Sequence, residues 1–381
     1  MQQVAQQVVI WDLAHDTRIT GLASALAFLP TIVLGPFASS VADRVDRRKL
    51  MLATQTVDMM LAFTLAALVL AGNRQVWPVL LVTAMLGMSS AFTWPAQSAF
   101  IGDLSGMAEV RSAFTLFGMI IETARLVGPA LAGYLIGALG ASSAFILNGL
   151  SFLAVIASLI VIRAQQAKPK SQPNALAAFV ESARFIAKTP RLIDLTVCRI
   201  MVMIFIFASL QLSTAIADLV LHGGPELVGT MFAASGAGAL FGALLVVPLV
   251  QRVERAGVMI CVCMAWAGLW LFVMSWFTMA ALSIAGIFMY SVVIPVVLTN
   301  VSSLSLLLSP ASMRARITGA TQMIASLSQP IGALTVGFMG NLLGPLLAVR
   351  INGVLMLIFA GAFLFFNKGF RDWIPAIAED D

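Results

Sequence analysis

Charge is scarce in this sequence: Asp, Glu, Lys and Arg make up 10% of its 381 residues, against roughly 25% in an ordinary soluble domain. Histidine occurs twice, tyrosine twice and cysteine three times. His15 and His222 both fall in expected loops, so no histidine-based metal site forms within a helix. Cys198, Cys261 and Cys263 sit inside apolar runs. An odd, buried set is not a disulfide framework, and Cys261-Val262-Cys263 lacks metal-ligand spacing. Paired-carboxylate motifs and a phosphate-cradling P-loop are missing too. These absences argue against an enzyme, a resident metal or cofactor, and direct nucleotide-driven pumping. The first residues also lack the positive segment of a signal peptide.

What is plentiful is apolar sequence. Hydrophobic residues make up 60%, mean hydropathy is +0.98, and several runs exceed the roughly 20 residues that cross a bilayer as helix. The expected fold is an all-α polytopic membrane protein with the lipid bilayer as its solvent. The periodicity predicts helices over 19–42, 50–71, 77–100, 110–138, 141–163, 195–220, 226–250, 256–276, 279–303, 315–341 and 345–367. Residues 1–13 form a further, short helix. They cover only about 20 Å at 1.5 Å per residue, so this helix is either interfacial or lacks its first half.

The few charges are concentrated. Asp43-Arg44-Val45-Asp46-Arg47-Arg48-Lys49 packs four basic and two acidic residues between two apolar runs. At a helix centre each would cost roughly 2.5–3.5 kcal/mol, so the knot is a tight loop on one side of the membrane. A weaker copy, Gln251-Arg252-Val253-Glu254-Arg255, lies about half a chain later. With these helices, 17 of the 22 basic residues fall on one side and only Arg18 and Arg74 on the other. The positive-inside rule makes that side cytoplasmic, with both termini on it and the chain in the plasma (inner) membrane. The net charge of +5 therefore reports topology and not a nucleic-acid surface.

Internal repetition points the same way. Leu139-Gly140, Ala144 and Asn148-Gly149 recur at an offset of 204 as Leu343-Gly344, Ala348 and Asn352-Gly353, and the two charged loops repeat at 208. Six helices per copy keep both copies in one orientation, a parallel 6+6 repeat about an axis along the membrane normal. The expected domains are an N-terminal six-helix bundle over 1–163, a cytoplasmic linker over 164–193, a C-terminal six-helix bundle over 194–367 and a cytoplasmic tail over 368–381. Within the linker, Leu176, Phe179, Val180 and Ala183 recur at helical spacing. They predict an amphipathic helix that either lies on the membrane surface or simply links the bundles.

The loop Ser39-x-x-x-Asp43-Arg44-x-Asp46-Arg47-Arg48 resembles the G-x-x-x-D-R-x-G-R-R signature of the major facilitator superfamily, with both glycines replaced. Gly128-Pro129-Ala130-Leu131-Ala132-Gly133 is similar to the G-P-x-x-G-G signature associated with antiporters. The stretches Met1-Gln-Gln-Val-Ala-Gln6, Phe28-Leu-Pro-Thr31, Pro95-Ala96 to Leu104, Ala124-Arg125 to Pro129 and Thr189-Pro-Arg191 narrow the resemblance to the enterobactin exporter and macrolide efflux subfamily. Two departures stand out. Relatives carry residues ahead of the segment matching Met1, so helix 1 reads as shortened, through a misplaced start codon or a real truncation. Relatives also often have Arg where this chain has Gln97.

Intramembrane ionisable groups mark the candidate site, because they are costly there. Glu122 and Arg125, three apart on one helix face, form either a proton-exchanging carboxylate with its tuning cation or a self-neutralising structural pair. Asp12 and Gln97 complete the substrate and coupling candidates. Asp43, Arg44, Asp46, Arg47 and Arg48 are the expected cytoplasmic latch between bundles. Gly128 and Pro129 permit a bend in helix 5, and Gly133 permits close helix approach. Asp58 reads as structural, and Arg199 and Arg350 as near enough to helix ends to snorkel. The residues imply transport of a small-molecule substrate. The resemblance implies export but not its substrate; the expected activity is proton-driven export of a small amphipathic molecule, drug or siderophore-like, by a monomer. An importer or symporter of a small metabolite, and a transport-inactive membrane binding protein, remain alternatives.

Overall fold

The computed structural model describes residues 1–162, 175–250, 255–310 and 313–374, and within these the side chains of Asp43, Glu122 and Arg125, among others, lie outside the described residues. The 163–174 part of the linker, positions 251–254 of the second charged loop and the 375–381 tail are likewise outside them. The described residues are helical nearly throughout. In chain order they form α1 (Gln2–Ala14), α2 (Thr17–Arg44), α3 (Arg47–Leu70), α4 (Val76–Leu139), α5 (Ala141–Val161), α6 (Ala175–Lys188), α7 (Pro190–Leu219), α8 (Pro225–Val250), α9 (Ala256–Met274), α10 (Ala280–Leu307), α11 (Arg314–Ser326), α12 (Ser328–Leu343), α13 (Pro345–Phe366) and α14 (Lys368–Arg371). Among the described residues, ten stretches are long and apolar enough to cross a membrane.

Local chemistry explains the ends. Asp16 caps α2 by accepting from Arg18 N at 2.8 Å, and Asp46 caps α3 by accepting from Lys49 N at 3.0 Å, each filling one of the orphan amides of a helix start. Proline, whose missing N–H is harmless at the first helical position, opens α7, α8 and α13. Gly140 and Gly344 hold φ of 82° and 87° between α4 and α5 and between α12 and α13. They are 204 positions apart, so the repeated Leu-Gly pair makes the same left-handed turn twice.

The charged knot ends α2 and begins α3, as its composition demands. We call this side of the molecule the basic end and the opposite side the far end. Arg47 Nη1 meets Asp103 of α4 at 2.7 Å, and Arg48 donates to the carbonyls of Leu159 and Ile160 in the last turn of α5, where a cation suits the helix dipole.

Four features differ from expectation. First, helical backbone runs unbroken from Val76 to Leu139, where a loop near 101–109 was expected. Gln6 of α1 donates to Thr83, while Met1 packs beside Gly128. A straight helix would hold those partners about 68 Å apart, so α4 reverses direction between Asp103 and Gly128. Second, α1 is no interfacial helix, for Val4, Ala5 and Ile10 are at most 1% exposed and pack into the main apolar core, and Trp11 is buried as well. Third, α7 and α8 contain π-helical turns at Val202–Phe207 and Gly242–Val246, and helix 11 divides into α11 and α12 around Leu327. Fourth, part of the apolar side of the amphipathic α6 is covered by protein: Phe179, Phe185 and Ile186 pack against Ile317, Ala320 and Ile324 of α11, while Val180 stays exposed.

Candidate functional site

A cavity of about 500 Å³ lies where α1, α2 and α4 face α7, α8, α10 and α12, within the size range of small-molecule sites. Phe28, Trp94, Phe207 and Phe232 give it an aromatic lining, and Gln3, Gln211, Ser235 and Gln329 supply amides and one hydroxyl. Ser235 is oriented by Ser291 of α10 at 2.9 Å. Among the described residues the lining carries no charged side chain.

The far end of the cavity is closed by close backbone approaches. A Cβ built on Gly133 would stand 2.6 Å from Gly229 Cα, and one built on Gly337 would stand 2.6 Å from Thr17 O and 3.2 Å from Gly21 Cα. No side chain fits there, so glycine is required by approach and not by turn geometry. The two seams are related by the sequence repeat, since 133 and 337 differ by 204 and 21 and 229 by 208. Polar contacts reinforce them. Thr17 Oγ1 donates to Gly337 O at 2.7 Å, and Trp11 Nε1 donates to Asp218 of α7 at 2.8 Å. Gln7 donates to Gln211, its partner at offset 204. Asn341 Nδ2 donates to Asp16 at 3.1 Å. The side-chain hydrogen bond from Arg18 holds the Asp16 carboxyl below the usual carboxylate range. Its contacts therefore persist at neutral pH and weaken only as pH falls through that lowered value.

The structure scatters the sequence candidates. Pro129 lines the cavity beside Ala124, Gly128 abuts Met1 and Gly133 forms a far-end seam. Glu122 and Arg125 lie on the α4 stretch flanking Ala124, with side chains outside the described residues. Gln97 is half-buried one turn beyond Trp94 and is not part of the lining. Asp12 is exposed at the far end of α1, next to the buried Trp11. Of the knot, Arg44 is exposed, while the contacts described for Arg47 and Arg48 run to α4 and α5. They tie the loop to the first half of the chain. Asp58 is buried in α3, one oxygen without a partner.

Sequence reasoning missed the amides. Gln7, Gln211, Gln322 and Gln329 interrupt apolar runs, and the first two sit at the repeat offset, a signal that attention to ionisable groups alone passes over. Arg350 is more than a snorkelling end residue. It donates to Ser275 O at 3.0 Å and lies 3.8 Å over the Trp276 ring, a cation–π contact. Arg199 does not snorkel at all, being 6% exposed.

Comparisons with known proteins agree with this geometry. Residues 1–375 match the family described as Transmembrane secretion effector. The uncharacterized MFS-type transporter YfiS of Bacillus subtilis (strain 168) is 28% identical over 228 residues, 57% of this chain and 52% of that protein. The Staphyloferrin A transporter of Staphylococcus aureus is 26% identical over 38% of this chain and 37% of its own. Macrolide efflux protein A of Streptococcus pyogenes is 29% identical over 25% and 24%. The chain thus spans about half the length, or less, of these curated relatives. In fold it is similar to a POT family transporter in complex with 5-aminolevulinic acid, with TM-score 0.75 and 10% identity over 97% of this chain and 94% of that one. An inward-facing bacterial homologue of the human lysosomal transporter Spinster gives TM-score 0.72 and 15% identity over 98% and 96%.

Proposed function

We propose, since this chain belongs to the transmembrane secretion effector family of major facilitator superfamily transporters, that it exports a small amphipathic molecule by alternating access with proton antiport. The observation that carries this reading is the cavity between the halves, aromatic in lining and closed at one end by two symmetry-related glycine seams. In this reading residues 1–163 and 194–367 are the two six-helix bundles of a parallel repeat. The matched offsets of the seams, of the Gly140 and Gly344 turns and of the Gln7–Gln211 pair support it. The basic end faces the cytoplasm of the plasma (inner) membrane, because Arg44, Arg47, Arg48 and Lys49 gather there. The exporter acts as a monomer. Glu122 carries the coupled proton, Arg125 sets its affinity, and Asp43 completes the latch at the basic end. Macrolide efflux protein A, an efflux relative by its name, favours export over import.

Cells expressing the chain should accumulate less of a fluorescent amphiphilic dye than empty cells, and a protonophore should abolish that difference. Glu122→Gln at equal membrane abundance should lose most of the effect. Unchanged accumulation, or an effect indifferent to the protonophore, would remove the proton-driven export reading.

A further inference from the structure

Arg199 lies nine residues beyond Pro190, about 14 Å along α7 from the basic end. Its guanidinium meets only neutral groups. Nη1 donates to Ser302 Oγ of α10 at 3.3 Å, Nη2 donates to Gln322 Oε1 of α11, and Nε is buried with no acceptor. Asp194 is the acid nearest in sequence on α7, but its oxygens are taken by Arg191 at 3.2 Å and Asn367 Nδ2 at 2.8 Å. No carboxylate among the described residues pairs with Arg199. A fixed cation at membrane depth is normally neutralised or aimed at a water-filled path. Arg350, by contrast, is satisfied by a backbone carbonyl and an aromatic face.

The place of this cation in the fold points to what it is for. Met203, one turn further along α7, lines the cavity, as does Gln329, two turns along from Gln322. Gln329 Nε2 reaches Met203 Sδ at 3.4 Å, and thioether sulfur is a weak acceptor that a better one readily displaces. The π-helical turn at Val202–Phe207 begins between the cation and the cavity, the kind of distortion that recurs at functional sites. We propose that Arg199, flanked by Ser302 and Gln322, binds the carboxylate of the transported molecule, whose aromatic or aliphatic body occupies the cavity among Phe28, Trp94, Phe207 and Phe232. The substrate class is an amphipathic organic anion. A planar guanidinium with an unused N–H matches a carboxylate in geometry and charge, and Ser302 and Gln322 hold it in place while the site is empty.

This inference rests on the transport reading, but it is tested by binding alone. The purified full chain in phosphatidylcholine nanodiscs is titrated with 1-pyrenebutyrate and, separately, with its uncharged methyl ester, following tryptophan fluorescence. The carboxylate should bind at least tenfold tighter than the ester. Arg199→Gln should erase that preference, and Arg199→Lys should restore part of it. Equal binding of the two probes by the parent chain overturns the proposal, and so does a preference that survives in Arg199→Gln. The parent comparison needs no variant, so a misfolded Arg199→Gln protein leaves the test decisive. Carboxylate-selective binding without dye export would keep the site and remove the export reading. Dye export with no carboxylate preference would do the reverse.

Discussion

Replacing Gly133 by leucine is expected to reduce the proposed export at least tenfold at unchanged membrane abundance. The Cβ alone would meet Gly229 Cα at 2.6 Å, Gly229 N at 3.1 Å and Pro225 O at 3.1 Å, and backbone cannot step aside as a side-chain tip can. Overpacking of this kind costs about 1–3 kcal/mol. The cost falls mainly on the arrangement with the far end closed, because the helices part when that end opens. A difference of that size shifts a two-state equilibrium by roughly 5–150-fold. A cysteine placed at Gln211 in the cavity reads the shift directly. A membrane-impermeant maleimide added from the far side should label it slowly in the parent background and quickly with Gly133→Leu. Gly21→Leu should behave alike, since it meets Ala333 O at 2.5 Å in the repeat-related seam. Unchanged labelling in both variants would show that the seams do not govern closure.

Asp103→Asn and Arg47→Gln are expected to lower stability more than any other change at the charged loop. The pair is held at 2.7 Å with its side chains 7% and 18% exposed, and either change removes this charge pairing beside the membrane core, Arg47→Gln taking from Asp103 the cation described against it. Breaking a fully buried pair costs about 3–5 kcal/mol. The partial exposure of Arg47 puts this pair nearer about 2–3 kcal/mol. Asp103 also faces the start of α3, where a negative charge is favoured by the helix dipole. Thermal unfolding in detergent should therefore show a clearly lower Tm for either single variant. The exchanged pair, Arg47→Asp with Asp103→Arg, should recover part of the loss. Single variants as stable as the parent would mean that solvent satisfies both ions.

Much of the architecture was legible because solvent writes it into the sequence. A residue that cannot enter hydrocarbon ends a helix, so Arg47–Leu70, Ala141–Val161 and Pro225–Val250 fall within a few residues of the apolar runs 50–71, 141–163 and 226–250. The recurring Leu-Gly pair was legible for a similar reason, since a tight turn needs glycine at Gly140 and again at Gly344. The π-helical turn in α7 was not, because Val-Met-Ile-Phe-Ile-Phe is apolar at every position and carries no period that separates it from α-helix. Nor was the continuity of α4, where the gap between the apolar runs 77–100 and 110–138 sits in helical backbone.

The candidate site was harder to read, because its parts come from opposite halves of the chain. Nothing local to Trp11 names Asp218, 207 residues away. Arg199 illustrates the limit well. Its position in the run is compatible with reaching the interface, and only the packing of α10 and α11 against it makes it a buried cation.

The seams also bear on how much energy the switch needs. Where two glycine backbones touch, no side chains interlock, so separating them requires neither rotamer changes nor the withdrawal of knobs from holes. What is lost at the glycines is a set of shallow dispersion contacts and weak Cα–H···O interactions, each worth roughly a fraction of a kcal/mol, together with the few side-chain hydrogen bonds that reinforce the seams. Two such smooth faces can part with little side-chain rearrangement. In the proposed alternating-access cycle the balance between the two arrangements then rests on small increments, of the size that the proposed proton or bound anion supplies. A far end built on interdigitated leucines would be firmer and, for that reason, harder for a ligand to move.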